Sequence, residues 1–147
     1  MGLADEISEN ARISFDANVL IYYVEENPEF LHVVEPAFEL IIAGRLTAEV
    51  SLIVLLEVLV RPIREGLESV ANKYRAILEG TMGITAHILD QPLAELAAQI
   101  RARHGLRTPD AIVAATAIGH NCSHILTNGP VFRRLDNMKV LVIGDYV

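Results

Sequence analysis

The chain has 147 residues, of which 52% are hydrophobic, and its formal net charge is −7. This length suits one domain with one core, and the apolar content argues against a disordered chain. The negative charge disfavours non-specific binding of nucleic-acid phosphates by the whole surface. It is compatible with a local basic patch, with an acidic pocket for divalent cations and with a basic peptide partner.

The sequence contains no membrane-spanning or secretory signal. No apolar run approaches the roughly 20 residues of a membrane helix. Residues 1–10 are polar and acidic, unlike the basic start and apolar middle of a signal peptide. The single cysteine, Cys122, cannot form an internal disulfide. We therefore expect a cytoplasmic protein in a reducing compartment.

Strand and helix patterns alternate along the chain. We expect residues 1–12 to form a tail and residues 13–147 a single domain. Strands are predicted at 13–15, 46–51, 84–89, 125–127 and 140–143. Helices are predicted at 19–24, 28–43 with a kink or break at Pro36, 53–60, 65–79, 93–104 and 108–118. Such alternation indicates a parallel sheet covered on both faces, with ligands bound beyond the carboxyl ends of its strands.

Glu57 is the only charged residue in the apolar segment from Val50 to Val60. The pattern predicts a helix that is apolar on every side and therefore buried. A buried carboxylate loses several kcal/mol of hydration unless a cation or hydrogen-bond donors replace the water. The alternative is an exposed pair with Arg61, worth only roughly 0.2–0.5 kcal/mol. We favour a functional role for Glu57.

Two further acids lie at predicted element boundaries. Asp16 follows the first strand directly, where it faces the ligand crevice, caps the next helix, or does both. Asp110 lies just inside a helix that opens at Thr108 and Pro109, where the helix dipole alone favours a carboxylate. If the three acids converge, they repel one another unless a cation is present. They are also the oxygen ligands that Mg²⁺ and Mn²⁺ prefer.

Four segments place these acids and their neighbours in a recognisable order. The segments are Phe15–Leu20, Ser51–Glu57, Thr108–Ala117 and Ile125–Asn128. In this order they resemble the motifs of PIN domains, and the ending at 132–135 and 140–146 is similar as well. In length and ending the chain resembles the VapC-like toxins of bacterial type II toxin–antitoxin pairs in particular.

The resemblance implies an α/β fold, a three-layer α/β/α sandwich that is Rossmann-like, with a central parallel sheet of about five strands. It also implies a Mg²⁺- or Mn²⁺-dependent endoribonuclease with an RNA substrate, a cognate antitoxin and a homodimeric state. By motif, the catalytic and metal-binding residues are Asp16, Glu57 and Asp110. The residues that would orient these ligands through hydrogen bonds are Asn18, Ser51, Thr127 and Asn128.

The chain departs from the family at the fourth motif. The family has an acid directly after Thr-Asn, whereas Gly129 follows Asn128 here. Asp136 lies seven residues after Gly129, too far along to replace it. The gap puts a second metal ion in question. It also defines the main alternative, a catalytically weakened PIN-fold module that binds RNA or a protein partner.

Basic residues and histidines give weaker signals. Arg103, Arg107 and Arg133 are candidates for RNA-backbone contacts, although cations near helix ends are also common without a ligand. The histidines at 32, 87, 120 and 124 have no convincing ligand spacing, and we interpret them as surface or packing residues.

Motif searches exclude several other enzyme classes. Glycine-rich dinucleotide and P-loop motifs are missing, as is the Gly-x-Ser-x-Gly elbow of α/β-hydrolases. A small-molecule phosphoryl hydrolase stays open as a third hypothesis, because the acids alone do not select the substrate.

Overall fold

The computed structural model, which describes residues 1–147, has five parallel strands in one sheet. They are β1 (Arg12–Phe15), β2 (Thr47–Ser51), β3 (Ile84–His87), β4 (His124–Thr127) and β5 (Lys139–Val142). Their order across the sheet is β3-β2-β1-β4-β5. All five predicted strands are therefore confirmed, and their ends lie within two residues of the predicted positions.

Six helices cover the sheet. They are α1 (Ala17–Val24), α2 (Leu31–Ile42), α3 (Ile53–Glu65), α4 (Glu68–Gly80), α5 (Gln91–His104) and α6 (Thr108–Gly119). The helices α5 and α6 pack against each other, and α6 crosses β1, β2 and β4. The others form a second layer in which α1 contacts α2 and α3, and α4 packs on α3 and β3. This is the three-layer α/β/α fold that the sequence predicted. None of these helices is both long and apolar enough to cross a membrane.

Two helices contain an internal proline and continue through it. The break expected at Pro36 does not occur, since α2 is one helix from Leu31 to Ile42. Buried side chains on both sides of Pro36, among them Val34 and Phe38, hold this helix in place against the cost of a missing backbone hydrogen bond. The predicted end of α3 at Val60 is likewise wrong, because α3 runs through buried Pro62 to a left-handed Gly66 with φ of 70°.

The strand order creates a crevice at one edge of the sheet. From β1 the chain proceeds outward to β2 and β3, then returns to the other side of β1 as β4 and β5. The point of reversal lies between β1 and β4, whose residues Phe15 and Leu126 are paired. Loops leave the carboxyl ends of two such strands in opposite directions, which opens a ligand crevice between them. Asp16 follows β1, and Asn128 follows β4.

Residues 1–12, expected as a tail, contain a short 3₁₀ helix, Leu3–Glu6. Leu3 is only 1% exposed and belongs to the cluster of 34 buried residues that forms the hydrophobic core. The hydroxyl of Tyr146 donates to the Glu6 carboxylate, and Arg45 pairs with Glu9 at 2.8 Å. The first twelve residues therefore pack against the α2 side of the domain.

Candidate metal and nuclease site

Asp16 lies at the point where the strand order reverses. Its backbone is extended and forms the N-cap of α1, and Oδ1 accepts a hydrogen bond from the backbone N–H of Val19 at 3.3 Å. The hydroxyl of Thr127, at the end of β4, donates to Oδ2. Asp16 therefore caps α1, and its carboxylate also lies where the crevice opens.

The surroundings of Asp16 favour its protonated form. Burial is the largest cause and raises the pKa of Asp16 from 3.8 to about 6. The bonds from Thr127 and Val19 lower this pKa, whereas the charges of Asp110 and Glu57 raise it further. No basic side chain contributes to the pKa of Asp16, so burial and the neighbouring acids make it a candidate functional acid.

Glu57 lies on α3, and its setting differs from the prediction. The helix is not buried on every side: Val54, Val58 and Pro62 face the core, while Leu56 and Val60 are exposed. Glu57 itself is exposed. Hydrophobic residues on all sides of a helix indicate burial only if every side has a packing partner within the same chain, and α3 has partners on one side.

The exposed Glu57 is still influenced by charged residues at the start of α6. Partial burial is the main cause that raises its pKa, and the charge of Asp110 raises it further, while Arg107 lowers it. The alternative of a simple pair with Arg61 does not hold. Arg61 instead binds Glu65 at 2.7 Å and Glu25 at 2.8 Å.

Asp110 occupies the first turn of α6. The helix begins at Thr108 as predicted, and its N-cap is Arg107, whose side chain provides no capping hydrogen bond. The Nε atom of Arg107 lies 3.4 Å from Oδ2 of Asp110, an ion pair in which Arg107 is largely exposed. The helix dipole and this arginine both place positive electrostatic potential beside the Asp110 carboxylate.

The three acids influence one another electrostatically but do not form a compact group of three. Each of the pairs Asp16–Asp110, Asp16–Glu57 and Glu57–Asp110 contributes to a raised pKa. Their oxygens are nevertheless too widely spaced to lie within 4.8 Å of one another as a group. The assignment of these residues as metal ligands therefore stays a prediction.

The four supporting residues differ in what they do. Thr127 holds Asp16, and the buried Ser51 hydroxyl accepts from the backbone N–H of Ile53 at 3.2 Å, which shapes the turn into α3. The side chain of Asn128 is already engaged, since it donates to the Tyr22 hydroxyl at 3.1 Å and accepts from the N–H of Gly144 at 2.9 Å. Asn18 is exposed.

Gly129 leaves room for the missing fourth acid. Its φ of −98° is accessible to any residue. A Cβ atom added here would meet the Phe132 ring and the Thr127 hydroxyl no closer than 3.5 Å, an ordinary van der Waals contact. The glycine is therefore not required by the backbone or by packing.

The three arginines proposed for RNA binding are all exposed. Arg107 pairs with Asp110 and Arg133 pairs with Asp145, so both charges are partly neutralised within the chain. Arg103 forms no ion pair. Contacts to RNA stay a prediction for all three.

A second group of potential ligands lies away from the acidic site. Glu49 of β2, His87 of β3 and His120 at the end of α6 place one ligand atom each within 4.8 Å of the others. His87 and His120, which the sequence suggested were surface or packing residues, lie beside each other because the neighbouring strands β2 and β3 and the end of α6 meet here. The charged Glu49 in the middle of β2, between Ala48 and Val50, was the available sequence signal.

Comparisons with known proteins place the chain in a family. The PIN domain family model matches residues 13–138. No curated protein matches the chain in sequence. Several solved structures share its fold at sequence identities below 25%.

Three solved structures illustrate the similarity of fold. A chain of VapBC2 from Rickettsia felis, bound to a DNA fragment from its promoter, has a TM-score of 0.68 at 17% identity, covering 89% of this chain and 98% of that one. A chain of a toxin–antitoxin complex from Klebsiella pneumoniae has a TM-score of 0.67 at 24% identity, covering 89% and 97%. A chain of VapBC-5 from Mycobacterium tuberculosis has a TM-score of 0.53 at 19% identity, covering 90% and 98%.

The family match spans most of the chain and includes all three acids of the candidate site. The sheet order and the helical layers agree with it, and so do the four sequence motifs. This protein belongs to the PIN domain family.

Proposed function

We propose that this protein is a metal-dependent endoribonuclease that hydrolyses RNA phosphodiester bonds and acts as the toxin of a toxin–antitoxin pair. The observation that carries the proposal is Asp16, a desolvated carboxylate at the switch point of the sheet whose pKa is raised further by Glu57 and Asp110. Membership in a family whose domains are generally nucleases supports the reaction class.

The donor set fits a hard divalent cation. Asp16, Glu57 and Asp110 would hold Mg²⁺ or Mn²⁺, since carboxylate oxygens are the ligands that these ions select. When bound, the ion supplies charge neutralisation and Lewis-acid polarisation of a phosphodiester and its attacking water. The raised pKa values of Asp16 and Glu57 support this fit, because burial and the neighbouring acids disfavour their charged forms and a bound cation would offset both effects.

The chain itself positions the acids for hydrolysis, in which a water oxygen bonds to phosphorus and a P–O ester bond breaks. Thr127 and the Val19 N–H fix the orientation of the Asp16 carboxylate. Arg107 pairs with Asp110 at 3.4 Å and is largely exposed, so its guanidinium is suited to meet an RNA phosphate. Arg103 and Arg133 would extend the contact along the RNA backbone.

An antitoxin partner and a cytoplasmic location belong to the same proposal. The similar solved structures include toxin–antitoxin complexes, some of them bound to DNA. A short neighbouring reading frame that encodes a DNA-binding protein, and co-purification of its product with this chain, would support the assignment. If the chain were stable alone and no neighbouring reading frame encoded a DNA-binding protein, a role other than toxin would be favoured.

A PIN-fold binding module is the second candidate, and Gly129 favours it. Without a fourth acid the site holds less negative charge than the family pattern provides. A second ion, which would stabilise the leaving oxygen, has the weakest support.

Replacement of Asp16 by Asn should abolish RNA cleavage. Asn retains the capping oxygen for α1 but removes the charge, so the fold should persist while Mn²⁺-dependent cleavage of a structured RNA falls by at least about 100-fold. The assay is gel analysis of a labelled RNA at fixed enzyme and Mn²⁺ concentrations. The control is Asp136→Asn, an exposed acid that should leave cleavage unchanged.

Equal cleavage by Asp16→Asn and the natural protein would contradict the role of Asp16. A phosphomonoester should resist the enzyme under the same conditions. Activity on that monoester but not on RNA would transfer the assignment to a small-molecule phosphoryl hydrolase.

Replacement of Glu57 by Gln should weaken Mn²⁺ binding by about tenfold or more, because about 1.4 kcal/mol of carboxylate–cation interaction is sufficient for that factor. Isothermal titration calorimetry measures the affinity. Glu65→Gln on the same helix is the matched control and should retain it, since Glu65 pairs with Arg61. Gly129→Asp should bind Mn²⁺ more tightly, because the added carboxylate fits without backbone strain.

If Glu57→Gln bound Mn²⁺ with unchanged affinity, Glu57 would be a surface residue of α3 and not a metal ligand. A folded natural protein that binds neither Mg²⁺ nor Mn²⁺ in the low-millimolar range would favour the binding module.

We also propose that the protein is a homodimer, joined through the exposed apolar face of α3. Leu56, Val60 and Ile63 are 63%, 50% and 61% exposed, and Leu52 and Leu89 extend the same patch. Contiguous apolar surface of this kind marks a protein interface, and a two-fold axis lets one such helix face pack on its copy.

The double replacement Leu56→Lys and Val60→Lys should convert the dimer to a monomer, because four lysines would meet across the two-fold axis. Size-exclusion chromatography with light scattering gives the mass in solution. Ile42→Lys, at an equally exposed site at the end of α2, should stay dimeric. A natural protein that is monomeric, or a double variant that is still dimeric, would rule out this interface.

A further inference from the structure

Glu49, His87 and His120 form a cluster that the nuclease proposal does not use. Glu49 lies in the middle of β2, His87 ends the edge strand β3, and His120 follows the last residue of α6. His120 and Asp110 lie at opposite ends of α6, and none of the three cluster residues belongs to the acidic site. All three cluster side chains are half-buried.

His87 has no ordinary partner for its ring nitrogen. Its Nε2 atom is buried and makes no hydrogen bond. The nearest carboxylate oxygen, Oε1 of Glu49, is 3.5 Å away, which is longer than a hydrogen bond of 2.7–3.2 Å. Buried polar atoms are nearly always bonded, so an unbonded one of this kind calls for an explanation such as an ion.

The spacing of this pair suits two ligands of one ion. Zinc binds imidazole nitrogen and carboxylate oxygen at about 2.0–2.2 Å, and two such ligands in a tetrahedron lie roughly 3.4 Å apart. The 3.5 Å between Nε2 of His87 and Oε1 of Glu49 matches that separation. The ligand atom of His120 completes a group that spans no more than 4.8 Å.

His120 supplies the third ligand from the helix layer. Its ring stacks on that of His87, with centroids 3.6 Å apart and an angle of 18° between the planes. An imidazole binds a metal in the plane of its ring, so one ring must rotate for both nitrogens to address the same ion. His120 is the C-cap residue of α6 and is partly exposed, so its ring is the one we expect to rotate.

We propose that Glu49, His87 and His120 form a zinc-class metal site, distinct from the acidic site, that ties the edge strand β3 to the end of α6. Two imidazoles and one carboxylate are the ligand type that Zn²⁺ and Co²⁺ select, whereas Mg²⁺ and Mn²⁺ prefer oxygen alone. Three protein ligands leave a fourth position to water. The charge of Asp90 favours a cation near His120. Arg12, which donates to the His120 carbonyl oxygen at 2.8 Å, opposes it.

Cobalt absorption separates this site from the acidic one. A tetrahedral Co²⁺ ion with nitrogen ligands absorbs strongly in the visible range, whereas an octahedral ion held by oxygens absorbs weakly. One equivalent of Co²⁺ added to the full chain should give the strong band, and one equivalent of Zn²⁺ should remove it. His87→Gln and His120→Gln should each weaken binding by more than about 100-fold, since even the loss of an outer partner costs roughly 10–100-fold.

Two variants serve as controls. His32→Gln changes an exposed histidine elsewhere and should keep the band. Asp16→Asn should also keep it, because the cluster does not depend on the acidic site. Zn²⁺ should in addition raise the melting temperature of the natural protein and of Asp16→Asn, but not that of His120→Gln.

Three results would overturn the proposal. The first is that the natural protein would give no cobalt band. The second is that the band would survive in a folded His87→Gln or His120→Gln variant. The third is that Asp16→Asn would remove the band. Circular dichroism establishes that each variant is folded. His120 lies past the end of its helix, so its replacement provides an interpretable test even if His87→Gln fails to fold.

Discussion

The carboxylate of Asp16 is largely buried at the point in the sheet where the loops after β1 and β4 leave in opposite directions. Its position follows from the strand order, because β1 lies between the two halves of the sheet and Asp16 is the first residue after it. Thr127 and the start of α1 hold it there, although burial and the other acids oppose its charge. The chain itself therefore holds this carboxylate in place, at an electrostatic cost that comes mainly from burial.

Much of this arrangement was predictable from the sequence, because the ends of strands and helices can be located from the pattern of residues and two of the acids lie at such ends. Asp16 and Asp110 were located by the ends of a strand and the start of a helix. The fold class followed from the alternation of strands and helices. The proximity of the acids was not predictable from periodicity, since it depends on which strands are neighbours in the sheet.

Glu57 shows where the sequence argument failed. An apolar pattern on all sides of α3 suggested a buried helix, yet one side of it faces solvent. Sequence cannot distinguish a surface buried within the chain from one covered by a second chain, because both are apolar. The proximity of Glu49, His87 and His120 was missed for a related reason. It requires that β3 pair with β2 and that α6 end beside them, which no local pattern specifies.

The pKa of Asp16 is raised because its carboxylate is buried and no basic side chain offsets its charge. The free energy of unfolding, measured as a function of pH, tests this directly. The pKa of Asp16 is about 6 in the folded protein and near its usual 3.8 when unfolded, so ionisation of Asp16 opposes folding above pH 6. That destabilisation is relieved as the pH falls from 6 towards 4. Without divalent metal, lowering the pH from 7 to 5 should stabilise the natural protein by about 1 kcal/mol relative to Asp16→Asn. Saturating Mn²⁺ should remove this difference. Identical pH profiles for the two proteins without metal would contradict the account.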